Sequence, residues 1–286
     1  MALTFTPLHP SFVAAVRDID LRRVYDPATL AAIRAGMERY GVLVFRDQPL
    51  RDAQQLAFAQ RFDGELHAKT GTAALGANRF GNEALTDISN VDEHGAVLPA
   101  DDRRRQYGLA NRLWHTDASF QDPAGRFSLL STRVLPAAGA DTEFANMAAA
   151  WDALSEGMKA RLDGLTVHHS IAYSRQILGF EFSQAELDQL QGAIHPLVRR
   201  NPNTGRRSLY LAAHASRIVE WSLPEGKLML RELIEHATQP QFVYRHRWEE
   251  YDLVIWDNRA TMHRARPFDD LQHVRELRRV TTLDIH

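Results

Sequence analysis

Apolar residues recur along this chain in two rhythms. After Asp26-Pro27, Leu30, Ile33 and Met37 fall at i, i+3 and i+7, one face of a helix. Asp26 suits its N-cap, Pro27 its first position and Gly41 its left-handed end. Val42 to Phe45 is then an unbroken, partly β-branched run that suits a buried strand. A short strand is expected near Phe12 to Val16 and a second helix from about Asp52 to Phe62. Further strands are expected at Asp87–Val91, Arg126–Val134, Gln241–Trp248, Asp252–Asp257 and Val274–Leu283, with a turn at Pro136–Gly139. Between them Asn146 caps a helix to Leu154, Ser155 opens another that Gly164 stops, and Ser183-Gln-Ala-Glu186 is a capping box. Asn201–Gly205 punctuates a hairpin between His195–Arg200 and Arg207–Ala212, and Pro224–Ala237 reads as helix.

Short strands with turn signals, interrupted by one helical block, predict an α+β fold, mainly β, with helices packed outside the core. No linker, repeat or low-complexity run divides the chain, so a single domain over 1–286 is expected. Gly64–Arg105, rich in Gly, Ala, Asn and charge, is expected to be a mobile loop over a site or a solvated insertion.

Composition narrows the options. With 44% hydrophobic and 24% charged residues, the chain resembles an ordinary globular protein. A net charge of −2 and pI near 6.7 offer no global field for nucleic acid or an anionic membrane, so neither partner is expected. The first residues lack a basic start followed by an apolar stretch, and a cytoplasmic protein is expected. With no cysteine, any metal must be held by His, Asp or Glu.

Candidate chemistry centres on Asn111-Arg-Leu-Trp-His115-Thr-Asp117. On an extended strand His115 and Asp117 project from one face and can reach one ion. Val254–Ala265 could supply a distant third ligand, His263, completing two histidines and a carboxylate. Spacing alone does not decide this: among 13 histidines one chance His-x-acid pair is expected, and the pair could simply hydrogen-bond at a strand end.

The strings Trp114-His115-Thr116-Asp117, Trp256-Asp257-Asn258-Arg259 with His263, and Arg275-Glu-Leu-Arg-Arg279 add weight. So do Val42–Arg46, Asp87–Val91, Asp141–Phe144 and Val243–Trp248. Together they resemble the Fe(II)/2-oxoglutarate-dependent dioxygenases of the taurine dioxygenase superfamily. The resemblance implies a double-stranded β-helix, or jelly roll, with a helical insert. It implies Fe(II) on His115, Asp117 and His263, with 2-oxoglutarate and O₂ as cosubstrates and ascorbate as activator. Arg275, twelve residues after His263, matches the arginine for the far carboxylate of 2-oxoglutarate, and Thr142 the hydroxyl beside it; Arg278 is the alternative. An arginine suits because a guanidinium binds a carboxylate through two bonds and stays charged when buried. The family's substrate-anion arginine falls on Arg279, and Asn111 and Lys69 are further candidates for substrate. Because halogenating relatives lack the carboxylate ligand, Asp117 points to hydroxylation.

The substrate expected is a small aryloxyalkanoate such as 2,4-dichlorophenoxyacetate, cleaved to a phenol and glyoxylate, and the protein is expected to be a homo-oligomer. An alkylsulfonate or another small carboxylate is the alternative substrate. A zinc hydrolase and a non-catalytic metal-binding jelly roll are the competing classes, and a salt-bridged surface strand is the bland reading of Arg275–Arg279. His168 and His169 could line the pocket, while His214 and His246 read as structural.

Overall fold

The structure is a computed structural model that describes residues 3–68 and 79–285. Two sheets face each other. The larger has seven strands, in the order Thr4–Pro7, Ala14–Arg17, Val42–Phe45, Leu253–Asp257, Gly125–Val134, Glu276–Leu283 and Thr86–Ser89, and the smaller three, Val243–His246, Thr142–Asn146 and Thr261–Ala265. The elements of the first half are β1 (Thr4–Pro7), β2 (Ala14–Arg17), α1 (Pro27–Tyr40), β3 (Val42–Phe45), α2 (Asp52–Asp63), β4 (Thr86–Ser89), α3 (Arg103–Gly108), β5 (Gly125–Val134) and β6 (Thr142–Asn146). The insert runs through α4 (Met147–Asp152), α5 (Glu156–Leu162), β7 (Thr166–His169), α6 (Ile171–Gln176), α7 (Gln184–Gln189), β8 (Ala193–Pro196), β9 (Val198–Arg200), β10 (Arg207–Leu209), β11 (Ala215–Ile218) and α8 (Leu223–Ala237). The core is closed by β12 (Val243–His246), β13 (Leu253–Asp257), β14 (Thr261–Ala265) and β15 (Glu276–Leu283).

Strand β13 is central, antiparallel to both β3 and β5, with Val254 opposite Val44 and Leu130. Alternate residues therefore face two cores. Leu43, Phe45, Leu129 and Ile255 pack under α1 and α2, while Val42, Val44, Leu130, Val254 and Trp256 meet Phe144 of β6 between the sheets. Because both faces are covered, Val42–Phe45 is apolar throughout rather than alternating. A third core lies in the insert, where α8 contributes Met229, Leu230 and Leu233 against Met147, Trp151 and Leu209.

The caps form where the sequence places them. Asp26 accepts from the Thr29 N–H, and Gly41 takes φ 69° and returns its N–H to the Met37 carbonyl. Ser183 and Glu186 close the capping box, and Asn201–Gly205 joins β9 to β10. Four expectations need correction. First, the stretch read as one strand, His195–Arg200, breaks at Leu197 into β8 and β9. Second, the described part of 64–105 is tied into the core: β4 pairs with β15, and the His67 N–H donates to the Thr281 carbonyl at 2.7 Å. The rest of that stretch, including Lys69, lies outside the described residues. Third, His115 and Asp117 do not share a strand. His115 makes a single antiparallel bridge with His263, and Asp117 opens a turn in which Ala118 has φ 54°. Fourth, α3 and α6, six residues each, were not expected, because so short a helix shows little periodicity.

Candidate metal centre and active-site cavity

The bridge aligns the two histidines. The His115 N–H donates to the His263 carbonyl at 2.9 Å, and the His263 N–H to that of His115 at 2.8 Å. Turning out of the bridge brings Asp117 alongside. One ligand atom from each of His115, Asp117 and His263 lies within 4.8 Å of the others, and all three residues are buried. The Nε2 atoms of His115 and His263 stand 4.0 and 3.7 Å from the Asp117 carboxylate oxygens.

Protonation fits a metal. The Leu113 carbonyl lies 2.8 Å from His115 Nδ1, so that nitrogen carries the proton and Nε2 keeps its lone pair. Burial pushes the His115 imidazole down to about 4 and that of His263 well below its usual value, so both are neutral at pH 7. Burial alone would raise the Asp117 carboxyl, but the Arg279 guanidinium and the Ser128 hydroxyl outweigh it and hold it below the usual carboxylate range. Two neutral imidazoles and one ionised carboxylate are the state a divalent ion requires.

Asp117 is held by a polar network absent from the sequence reading. Ser128 Oγ donates to Asp117 Oδ2 at 2.8 Å and accepts from Asn258 Nδ2 at 2.9 Å. Asn258 Oδ1 accepts from the Asp117 backbone N–H at 3.1 Å and the Trp256 indole at 3.0 Å. Trp256 also packs on His263, ring centroids 4.6 Å apart. Only the cluster Trp256-Asp-Asn258 hinted at this.

The triad opens onto a cavity of about 190 Å³ that gathers the expected cosubstrate residues. Arg275 is 8% exposed, its Nε has no hydrogen-bond partner, and no carboxylate of the described residues lies within ion-pair distance. Burial pushes its guanidinium down to about 10. Thr142 Oγ1 accepts from the Trp248 indole at 3.0 Å, which leaves its O–H free to donate into the cavity. Arg278 points to the other side of β15. It donates to Glu276 at 3.2 Å, lies 3.6 Å from Asp87 and stacks over Phe80.

The remaining candidates divide. Arg279 lines the cavity; its Nη1 donates to Asp117 Oδ1, while its buried Nε has no hydrogen-bond partner. Asn111 is present and its Oδ1 accepts a long bond from Arg175 at 3.4 Å. His214, read from sequence as structural, joins the cavity with its ring 5.8 Å from that of His115. His168 bonds to Ser216 and the Gln191 carbonyl, as a structural histidine would. Cavity residues that the sequence did not mark include His67, whose fold position needs the pairing with β15, and Arg175 on α6.

Comparison with known proteins agrees with this geometry. The family model described as taurine catabolism dioxygenase TauD, TfdA family matches residues 4–281. The alpha-ketoglutarate-dependent 2,4-dichlorophenoxyacetate dioxygenase of Cupriavidus pinatubonensis is 45% identical over 285 residues, covering 99% of both chains. The (S)-phenoxypropionate/alpha-ketoglutarate-dioxygenase of Sphingobium herbicidovorans is 34% identical, covering 95% of this chain and 92% of its own. Among solved structures, AAD-2 in complex with Mn(II) and N-oxalylglycine superposes with a TM-score of 0.94 at 43% identity, covering 99% of this chain and 98% of that one. No helix among the described residues is long and apolar enough to cross a membrane.

Proposed function

Since this chain belongs to the taurine catabolism dioxygenase TauD, TfdA family and is a 2-oxoglutarate-dependent dioxygenase, we propose that it uses Fe(II) to hydroxylate the carbon beside the carboxylate of an aryloxyalkanoate such as 2,4-dichlorophenoxyacetate. The observation that carries this reading is the convergence, in one cavity, of the buried His115-Asp117-His263 set with Arg275, a buried guanidinium that has no carboxylate partner among the described residues.

Bound Fe(II), 2-oxoglutarate and O₂ together supply a two-electron oxidant that inserts oxygen into a C–H bond, with succinate and CO₂ as coproducts. The chain's own residues set that chemistry up. His115 and His263 present neutral Nε2 lone pairs, and Asp117 presents an ionised oxygen fixed by Ser128. Arg275, with the Thr142 hydroxyl beside it, would hold the far carboxylate of 2-oxoglutarate and so fix its keto acid end toward the triad. Hydroxylation of the CH₂ between an ether oxygen and a carboxylate yields a hemiacetal, which collapses to a phenol and glyoxylate without an acid catalyst. Accordingly no general acid needs to face that carbon.

We read the chain as one catalytic domain, because β2 near its start and β15 near its end lie in the same sheet. Cytoplasmic location, ascorbate activation and homo-oligomerisation complete the reading. The test is to incubate the protein with Fe(II), ascorbate, 2-oxoglutarate and 2,4-dichlorophenoxyacetate in air. Phenol and succinate should appear in equal amounts. If phenoxyacetates give no phenol while an alkylsulfonate gives sulfite, the substrate is wrong although the chemistry stands.

A further inference from the structure

Behind the cavity lies a buried polar cluster that the reaction above does not use. Asp252 and His246 are fully buried. Asp252 Oδ2 accepts from Arg46 Nη1 at 2.6 Å, from His246 Nε2 at 3.0 Å and from the Glu249 backbone N–H at 2.9 Å. The Asp252 carbonyl accepts from the Thr132 N–H at 3.0 Å, which ties the cluster to β5. A carboxylate with three donors on one oxygen and a histidine locked to it make a rigid support. Neither Asp252 nor His246 lines the cavity.

The support reaches the cavity through Trp248. Its ring stands at 90° to that of His246 with centroids 4.5 Å apart, an edge-to-face contact that fixes the indole plane. Pairing of β12 with β6 sets His246 opposite Thr142, and Trp248, two residues on, donates from Nε1 to Thr142 Oγ1 at 3.0 Å. An indole N–H only donates, so it takes a lone pair of the hydroxyl and turns the hydroxyl proton away from itself. Thr142 is buried and lines the cavity, whereas Trp248 does not. A carboxylate only accepts, so a proton aimed into the cavity is what the far end of 2-oxoglutarate requires.

Resting on the reading that Thr142 and Arg275 hold that far carboxylate, we propose that Trp248 is a positioning residue for the cosubstrate: kept in place by the buried His246–Asp252 pair, its indole N–H sets the Thr142 hydroxyl as a donor to the carboxylate. Arg275 supplies the charge, and Trp248 supplies the direction of the neutral bond beside it.

The experiment is calorimetric titration of 2-oxoglutarate into full-length, Mn(II)-loaded protein without O₂. Trp248→Phe keeps a ring against His246 and deletes the donor. It should weaken 2-oxoglutarate about 2- to 10-fold, the range of one neutral hydrogen bond, with Mn(II) affinity unchanged. Thr142→Val should weaken it by about 10-fold or more, as for a bond to a charged group. Because the indole acts only through the hydroxyl, the double variant should bind within about twofold of Thr142→Val, whereas a general loosening of the site would weaken it further. Thr142→Ser keeps the oxygen that the indole holds and should stay within about threefold of wild type, a comparison that stands even where Trp248→Phe does not fold. Three outcomes overturn the proposal: Trp248→Phe binds 2-oxoglutarate as wild type does, the two single effects multiply in the double variant, or Thr142→Ser loses as much as Thr142→Val. If Thr142→Val itself binds normally, the placement of the cosubstrate carboxylate falls and the proposal with it, an outcome told apart from the other three because no Trp248 variant enters it.

Discussion

Replacing Arg275 by methionine should have two effects of opposite sign. The side chain is buried, 8% exposed, and has no carboxylate partner among the described residues, so in the absence of a ligand its charge is a burden on the fold. Burial pushes the guanidinium down to about 10, which corresponds to about 3 kcal/mol against the charged folded form. Methionine removes that cost and fills similar volume, so the ligand-free variant should melt about 6–12 °C higher, at about 2–4 °C per kcal/mol. The same change removes the cation proposed for 2-oxoglutarate and should raise its KM about 10²-fold, as expected for a charge-assisted pair. Arg278→Met is the contrast. That guanidinium donates to Glu276 at 3.2 Å and its loss should cost about 1–3 kcal/mol, with the KM for 2-oxoglutarate unchanged. The assays are thermal denaturation of metal-free protein and succinate formation against cosubstrate concentration. If Arg275→Met melts lower and binds 2-oxoglutarate normally while Arg278→Met loses it, the assignment is reversed and the reasoning fails.

Other expectations follow from the same cavity. Ser128→Ala removes the 2.8 Å donor to Asp117 and leaves Asn258 Nδ2 without its partner, so metal affinity should fall about 10- to 100-fold, measured by competition with a chelating dye; an unchanged affinity would remove Ser128 from the network. Burial lowers the imidazoles of His67 and His115 to about 4. Between about 6.5 and 4 the unfolded chain therefore binds protons that the folded chain does not, and the metal-free protein should lose stability as pH falls through that window, by up to about 3 kcal/mol per histidine. Urea denaturation at several pH values checks this, and His67→Asn should flatten the slope.

Much of the outer frame was legible in the chain. Asp26, Pro27 and Gly41 mark both ends of α1 because capping is local chemistry, and Val42–Phe45 is apolar because that strand is covered on both faces. The metal ligands were legible as strings, though not their backbone: a one-residue bridge and a turn at Ala118 do what a strand was expected to do. What could not be read was long-range. Ser128 reaches Asp117 through the register of β5 with β13 and β15, and nothing near it in sequence marks it. Arg175 sits on a six-residue helix with no periodic signature, and its lack of a carboxylate appears only once its surroundings are assembled. Arg279 carried the right local pattern, with Arg275 and Leu277 on its face, yet its partner is an acid 162 residues away.

His115, Asp117 and His263 are expected to hold one ion on which the cosubstrate then binds. Calorimetric titration of metal-free protein with Fe(II) under anaerobic conditions, followed by 2-oxoglutarate, tests it most directly. Wild type should take up one Fe(II) per chain and bind 2-oxoglutarate tightly only afterwards, whereas Asp117→Ala and His263→Ala should remain folded by circular dichroism and take up none at that site. Should either variant bind Fe(II) with wild-type affinity and stoichiometry, the metal lies elsewhere and the account of this cavity is wrong.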